Sequence, residues 1–178
     1  MPQGVDRVLF MIAPALTVIP AMIGFVVIPW GGYLEFGDGH QVAIMGADIN
    51  IGVVYLVAAA SLGVYGVGLG GWASNNKYSF LGGLRATAQM ISYEIPMGLA
   101  LLCVVLTAGT LLPQQIVGQQ LAGQWYLIQQ PIVAIIFYIC LLAEAGRAPF
   151  DLAEAEQELI GGWHTEYSSM KWALFFMG

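Results

Sequence analysis

No charged residue falls between Leu9 and Trp30. That run of about 22 residues, roughly 33 Å as a helix, is long enough to cross a hydrocarbon core. Pro14 and Pro20 lie inside it. Membrane helices tolerate prolines where neighbouring helices satisfy the freed carbonyls. Similar apolar runs follow at residues 49–72, 86–112 and 125–143, and another begins near residue 167 and stops at 178. The first run is too long for a signal peptide, and no small-residue cleavage site introduces a soluble body. The pattern predicts an all-α polytopic membrane protein with a single transmembrane domain over residues 1–178. It has four full transmembrane helices and a truncated fifth, read from those five runs.

The joints between runs sort by charge. Residues 31–48 carry Glu35, Asp38 and Asp48 but no base, and residues 113–124 carry no charge. The joint 73–85 carries Lys77 and Arg85, and the joint 144–166 carries Arg147. Arg7 precedes the first run and Lys171 opens the last. With alternating spans all 5 basic residues fall on one side, which the positive-inside rule makes cytoplasmic or matrix. The joints 73–85 and 144–166 are therefore expected as cytoplasmic loops. A last run of about 12 residues is too short to cross, so a fragment, or a fold completed by partner helices, is expected.

Composition narrows the class. The chain is 58% hydrophobic and 9% charged, with a mean hydropathy of +0.76. Soluble domains carry about 25% charged residues, so an ordinary soluble enzyme and a disordered tail are excluded. A net charge of −6 argues against a nucleic-acid partner, which phosphate contacts would require to be basic.

Short motifs add little. Gly66-Val-Gly68-Leu-Gly70-Gly71 matches a dinucleotide-type glycine pattern. It ends an apolar run, though, instead of following a strand and opening a helix. Close helix packing explains it better, because Ala59 with Gly63 and Gly66 with Gly70 give small-xxx-small spacing. His40 and His164 fall on opposite sides of the expected topology, and Cys103 and Cys140 lack metal-type spacing, so no metal site is expected.

Two acidic features demand more. Glu94 is the sole charge in residues 86–112, about 9 residues and so roughly 13 Å past Arg85. A charged carboxylate there costs several kcal/mol unless paired, hydrated or protonated. Pro96 frees the carbonyl of Ser92, and Gln89, Ser92 and Tyr93 are local candidates for a polar pocket. Glu94 is either a snorkelling or assembly residue or a protonatable relay group; the lone position within an apolar run favours the relay. The second feature is the joint after Ala143. It holds Glu144, Asp151, Glu154, Glu156, Glu158 and Glu166 with Arg147 as its base. Asp151-Leu-Ala-Glu154 fits a helix start with an acidic third position, and Gly161-Gly162 would end that helix. Packed carboxylates lose protons in coupled steps. A solvated acidic loop is the plainer reading. Phe150, Leu152, Leu159, Ile160 and Trp163 instead make the joint half apolar, and chains of acids running into a membrane build proton relays.

Two long motifs resemble a known family. One is Gly71-Trp72-Ala73-Ser74-Asn75-Asn76-Lys77-Tyr78-Ser79-Phe80-Leu81-Gly82-Gly83-Leu84-Arg85-Ala86-Thr87-Ala88-Gln89-Met90-Ile91-Ser92-Tyr93-Glu94. The other is Arg147-Ala148-Pro149-Phe150-Asp151-Leu152-Ala153-Glu154-Ala155-Glu156-Gln157-Glu158-Leu159, followed by His164-Thr165-Glu166-Tyr167. Together they resemble the quinone-cavity membrane subunit of respiratory complex I, the H subunit of bacterial NADH:quinone oxidoreductase. That family has eight membrane helices, and this chain matches its middle, from the second helix to the start of the sixth. Gly146 stands where the family commonly has Asn, and Trp163 where Phe or Tyr is usual.

The resemblance implies a subunit of an oxidoreductase and proton translocase in the bacterial inner membrane rather than the mitochondrial one. It implies no redox centre on this chain: quinone is the substrate, and NADH, FMN and iron–sulfur clusters belong to hydrophilic partner subunits. Other membrane subunits and lipid complete its surroundings. Carried over by motif, Glu94 and Glu144 are intramembrane carboxylates of the proton relay. Asp151, Glu154, Glu156 and Glu158 form the acidic loop under the quinone chamber, and Arg147 and Phe150 stand at its wall. Lys77 and Arg85 belong to the joint that contacts hydrophilic subunits. Related complexes with another electron donor, such as a membrane-bound hydrogenase or an F420-dependent dehydrogenase, share these motifs and stay open as alternatives. So does a passive membrane anchor. A secondary transporter predicts inverted repeats, and the chain carries none.

Overall fold

A computed structural model describes residues 6–37, 40–123, 125–146, 149–150, 166–167 and 170–177. Helix dominates them. α1 spans Arg7–Gly24 and is prolonged by a 3-10 turn, Phe25–Val27. Asp6 caps it: its Oδ1 accepts from the amides of Val8 at 3.1 Å and Leu9 at 3.4 Å, which would otherwise lack partners. Pro14 and Pro20 sit inside α1, buried. The Thr17 hydroxyl donates to the carbonyl of Pro14 at 2.8 Å.

α2 spans Gly52–Ala73 and α3 spans Lys77–Ala108. With α1 and its 3-10 turn, these are 3 helices long and apolar enough to cross a membrane. α3 has 32 residues, so roughly 48 Å of helix, beyond the ~30 Å hydrocarbon thickness. The expected joint 73–85 is correspondingly short. Lys77 and Arg85 lie in the first turns of α3 instead of in a loop, because both residue types favour helix even where their charge interrupts an apolar run. Asn76 starts α3, its Oδ1 accepting from the Tyr78 amide at 3.0 Å.

The next joint is partly helical too: α4 spans Pro113–Leu121 with proline at its first turn. The expected span 125–143 is divided into α5, Tyr126–Gln129, and α6, Pro131–Glu144. Gln130, at φ −131° and ψ 63°, breaks the helix ahead of Pro131. The break faces α3: the Gln130 amide donates to the carbonyl of Cys103 at 3.4 Å and to the Thr107 hydroxyl. α7 spans Met170–Met177. The all-helical expectation misses one small element. Residues Tyr33–Glu35 (β1) and Gln41–Ala43 (β2) pair antiparallel, Leu34 opposite Val42. Strands of three residues are too short for alternation to reveal them.

Neighbours pack in a row: α1 on α2, α2 on α3, α3 on α6, with α7 against α1. Gly66 permits the first contact. A Cβ there would lie 2.9 Å from the Ala13 carbonyl oxygen and 3.0 Å from the Thr17 amide nitrogen. The small-residue reading therefore holds at Gly66. It does not extend to Gly63, where a Cβ would meet nothing within 4 Å. The core gathers at one end, from Phe10, Ala13, Val67, Ala73, Ala86, Tyr167 and Phe175. Outward faces remain apolar, with Leu106, Ile128 and Ile132 exposed. Such surfaces suit lipid or further helices, not water.

Candidate functional site

Glu94 lies on α3, half-buried, and Glu144 is the last residue of α6, also half-buried. The packing of α3 on α6 puts them in one region of the seam: Gln89, five residues before Glu94, donates at 3.3 Å to the carbonyl of Ala143, the residue before Glu144. Glu94 Oε1 and Glu144 Oε2 are buried without a hydrogen-bond partner among the described residues. A buried carboxylate oxygen needs a proton, a water or a cation. The two oxygens are therefore suited to take a proton, a water or a cation.

Phe150 closes the same place. Its ring meets Tyr93 of α3 edge-on, centroids 5.3 Å apart and planes 64° apart. Its carbonyl accepts from Gln89 Nε2 at 2.8 Å, and the same nitrogen donates to the carbonyl of Ala143 at 3.3 Å. Of the expected site residues, Phe150 thus lies against the part of α3 that carries Glu94, and Gln89 ties it to the end of α6 that carries Glu144. Arg147, Asp151, Glu154, Glu156 and Glu158 lie outside the described residues, as does His164. Of the local candidates for a pocket around Glu94, namely Gln89, Ser92 and Tyr93, Gln89 and Tyr93 reach across to the chain beyond α6. Among the described residues no three His, Cys, Asp or Glu side chains gather into a metal site.

Two residues past the end of α6, Gly146 has a left-handed φ of 57°. Gly and Asn enter that region with the least strain. Glycine therefore takes this backbone conformation as readily as asparagine would.

The far end of the acidic joint is anchored as well. Asn76 Nδ2 donates to Glu166 Oε1 at 2.8 Å. Tyr167 stacks on Phe10, centroids 4.0 Å apart and planes 6° apart, and meets Phe175 edge-on at 4.9 Å. Lys171 Nζ stands 4.7 Å above the Phe10 ring. These contacts hold Arg7, Lys77 and Lys171 at one end of the row. The joint leaves α3 near Gln89 and returns to it at Asn76, 13 residues or roughly 20 Å away along the helix. No sequence signal points to this clasp, because its partners lie 90 residues apart.

A family described as NADH dehydrogenase matches residues 1–178. The chain belongs to the NADH dehydrogenase family. It is 52% identical over 175 residues to one of the NADH-quinone oxidoreductase H subunits of Cytophaga hutchinsonii, covering 98% of this chain and 51% of that one. It is 54% identical over 177 residues to the NADH-quinone oxidoreductase H subunit of Protochlamydia amoebophila, covering 99% and 54%. Against the equivalent H subunit of Rhodospirillum rubrum it is 50% identical over 178 residues, covering 100% and 50%. This NADH dehydrogenase family chain spans about half the length of those curated relatives. Relatives so named are subunits of an oxidoreductase, in agreement with the resemblance carried by the two long motifs.

Proposed function

We propose that this chain is part of the membrane subunit of a proton-pumping NADH:quinone oxidoreductase in a bacterial inner membrane. It lines part of the quinone chamber and couples quinone reduction to proton movement. Electrons arrive from a cluster on a hydrophilic partner, and reduced quinone draws protons at the chamber. The acidic joint with Asp151, Glu154, Glu156 and Glu158 responds, and Glu144 and Glu94 pass the change inward. Arg147 pairs with the acids in turn, and Phe150 stands at the chamber wall.

The observation that supports this most is the Glu94 and Glu144 pair: two carboxylates from different helices, each with an unpartnered buried oxygen. An anchor would have no use for that cost. The half-identity to relatives named as H subunits of NADH-quinone oxidoreductase supplies the electron donor and acceptor of the reading. The test is Glu94→Gln in the complete complex in sealed vesicles. The complex assembles and oxidises NADH, and proton uptake per NADH falls. An unchanged ratio refutes the relay.

A further inference from the structure

Gln89 donates from one side-chain nitrogen to two carbonyls 54 and 61 residues away, those of Ala143 and Phe150. The first belongs to the final turn of α6. The second lies beyond it, and both carbonyls meet the same nitrogen. The Ala143 carbonyl also accepts from the backbone amides of Ala145 and, at 3.3 Å, Gly146. One helical turn along α3, Tyr93 holds the Phe150 ring at 5.3 Å. Glu94 follows immediately. α3 therefore holds the chain at Ala143, just before Glu144, and again at Phe150.

Gln89 bonds both within the facing helix, at Ala143, and past its end, at Phe150. Its neutrality also matters: a lysine or arginine donor here would add a charge beside Glu94 and Glu144 and bias their proton occupancy. An amide supplies direction without charge. We infer that Gln89 is a positioning residue for the carboxylate pair, setting where α6 stops and the acidic joint starts, and so fixing Glu144 against Glu94. The inference rests on the relay reading above.

Gln89→Met keeps the side-chain length and removes both N–H groups. In vesicles with the complete complex, NADH oxidation by an artificial acceptor that bypasses the membrane subunits counts assembled complexes. NADH–quinone turnover then gives kcat and KM per assembled complex. The expected result is a kcat lowered roughly tenfold, the scale of one lost hydrogen bond, with KM for quinone unchanged. A purely structural amide lowers the number of assembled complexes and leaves kcat for each at the wild-type value, which overturns the inference. If Gln89→Met does not assemble, Tyr93→Leu decides, since it loosens the Phe150 grip and leaves the amide in place. A lowered kcat supports positioning, and wild-type kcat overturns it. Glu94→Gln and Glu144→Gln are measured alongside. Normal proton uptake per NADH in both removes the relay reading and this inference with it. Lost uptake in both, with wild-type kcat in Gln89→Met, leaves the relay standing and removes only the role of Gln89.

Discussion

The same substitution at two glycines on one helix should act in opposite directions. At Gly66 an added methyl meets the α1 backbone, 2.9 Å from the Ala13 carbonyl oxygen and 3.0 Å from the Thr17 nitrogen, and Thr17 Cγ2 at 2.5 Å. Backbone yields less readily than a side-chain tip, so α1 must move away. Overpacking of this kind costs about 1–3 kcal/mol. At Gly63 nothing lies within 4 Å. Alanine there gains helix propensity, up to about 1 kcal/mol. Gly66→Ala gains the same propensity, so the two variants should differ by the clash, about 1–3 kcal/mol, or roughly 2–12 °C in Tm for a chain of this size. Thermal unfolding of the full-length subunit in detergent, with assembled complex in membranes as a second measure, reads the difference. Equal shifts in the two variants would refute the packing of α1 against this face of α2.

Other outcomes follow from the anchors. Asn76→Ala removes the α3 cap, worth about 1 kcal/mol, and releases Glu166; limited proteolysis should cut the joint between residues 145 and 166 faster. Gly146→Val forces a β-branched residue into a left-handed turn at about 1–2 kcal/mol, whereas Gly146→Asn should melt within about 0.5 kcal/mol of the wild type.

Charge sparsity makes most of the helices readable. Residues 9–30 and 49–72 anticipate α1 and α2 to within a few residues, because uncharged runs of that length have few other uses. The start of α3 is obscured by Lys77 and Arg85, which serve equally in loops and in helices that outreach a membrane. The break at Gln130 has a visible cause in Pro131. Its partners on α3, at Cys103 and Thr107, have none. Glu94 stands out because a lone acid in an apolar run is expensive. Its approach to Glu144 depends on α3 lying against α6, a contact that hydropathy does not encode. Gln89 is harder still: a neutral amide disturbs hydropathy little, and its function lies in two distant carbonyls.

The helices α3 and α6 exchange glutamines. Gln130, at the head of α6, binds α3 at one end, and Gln89 of α3 binds α6 at the other. Two such rivets on one seam forbid α6 to roll about its own axis, since any rotation strips both amides of their acceptors in a medium with no water to replace them. Motion that begins at the membrane surface thus has no torsional route along α6. It must travel through side chains and protons, or stop at the last rivet.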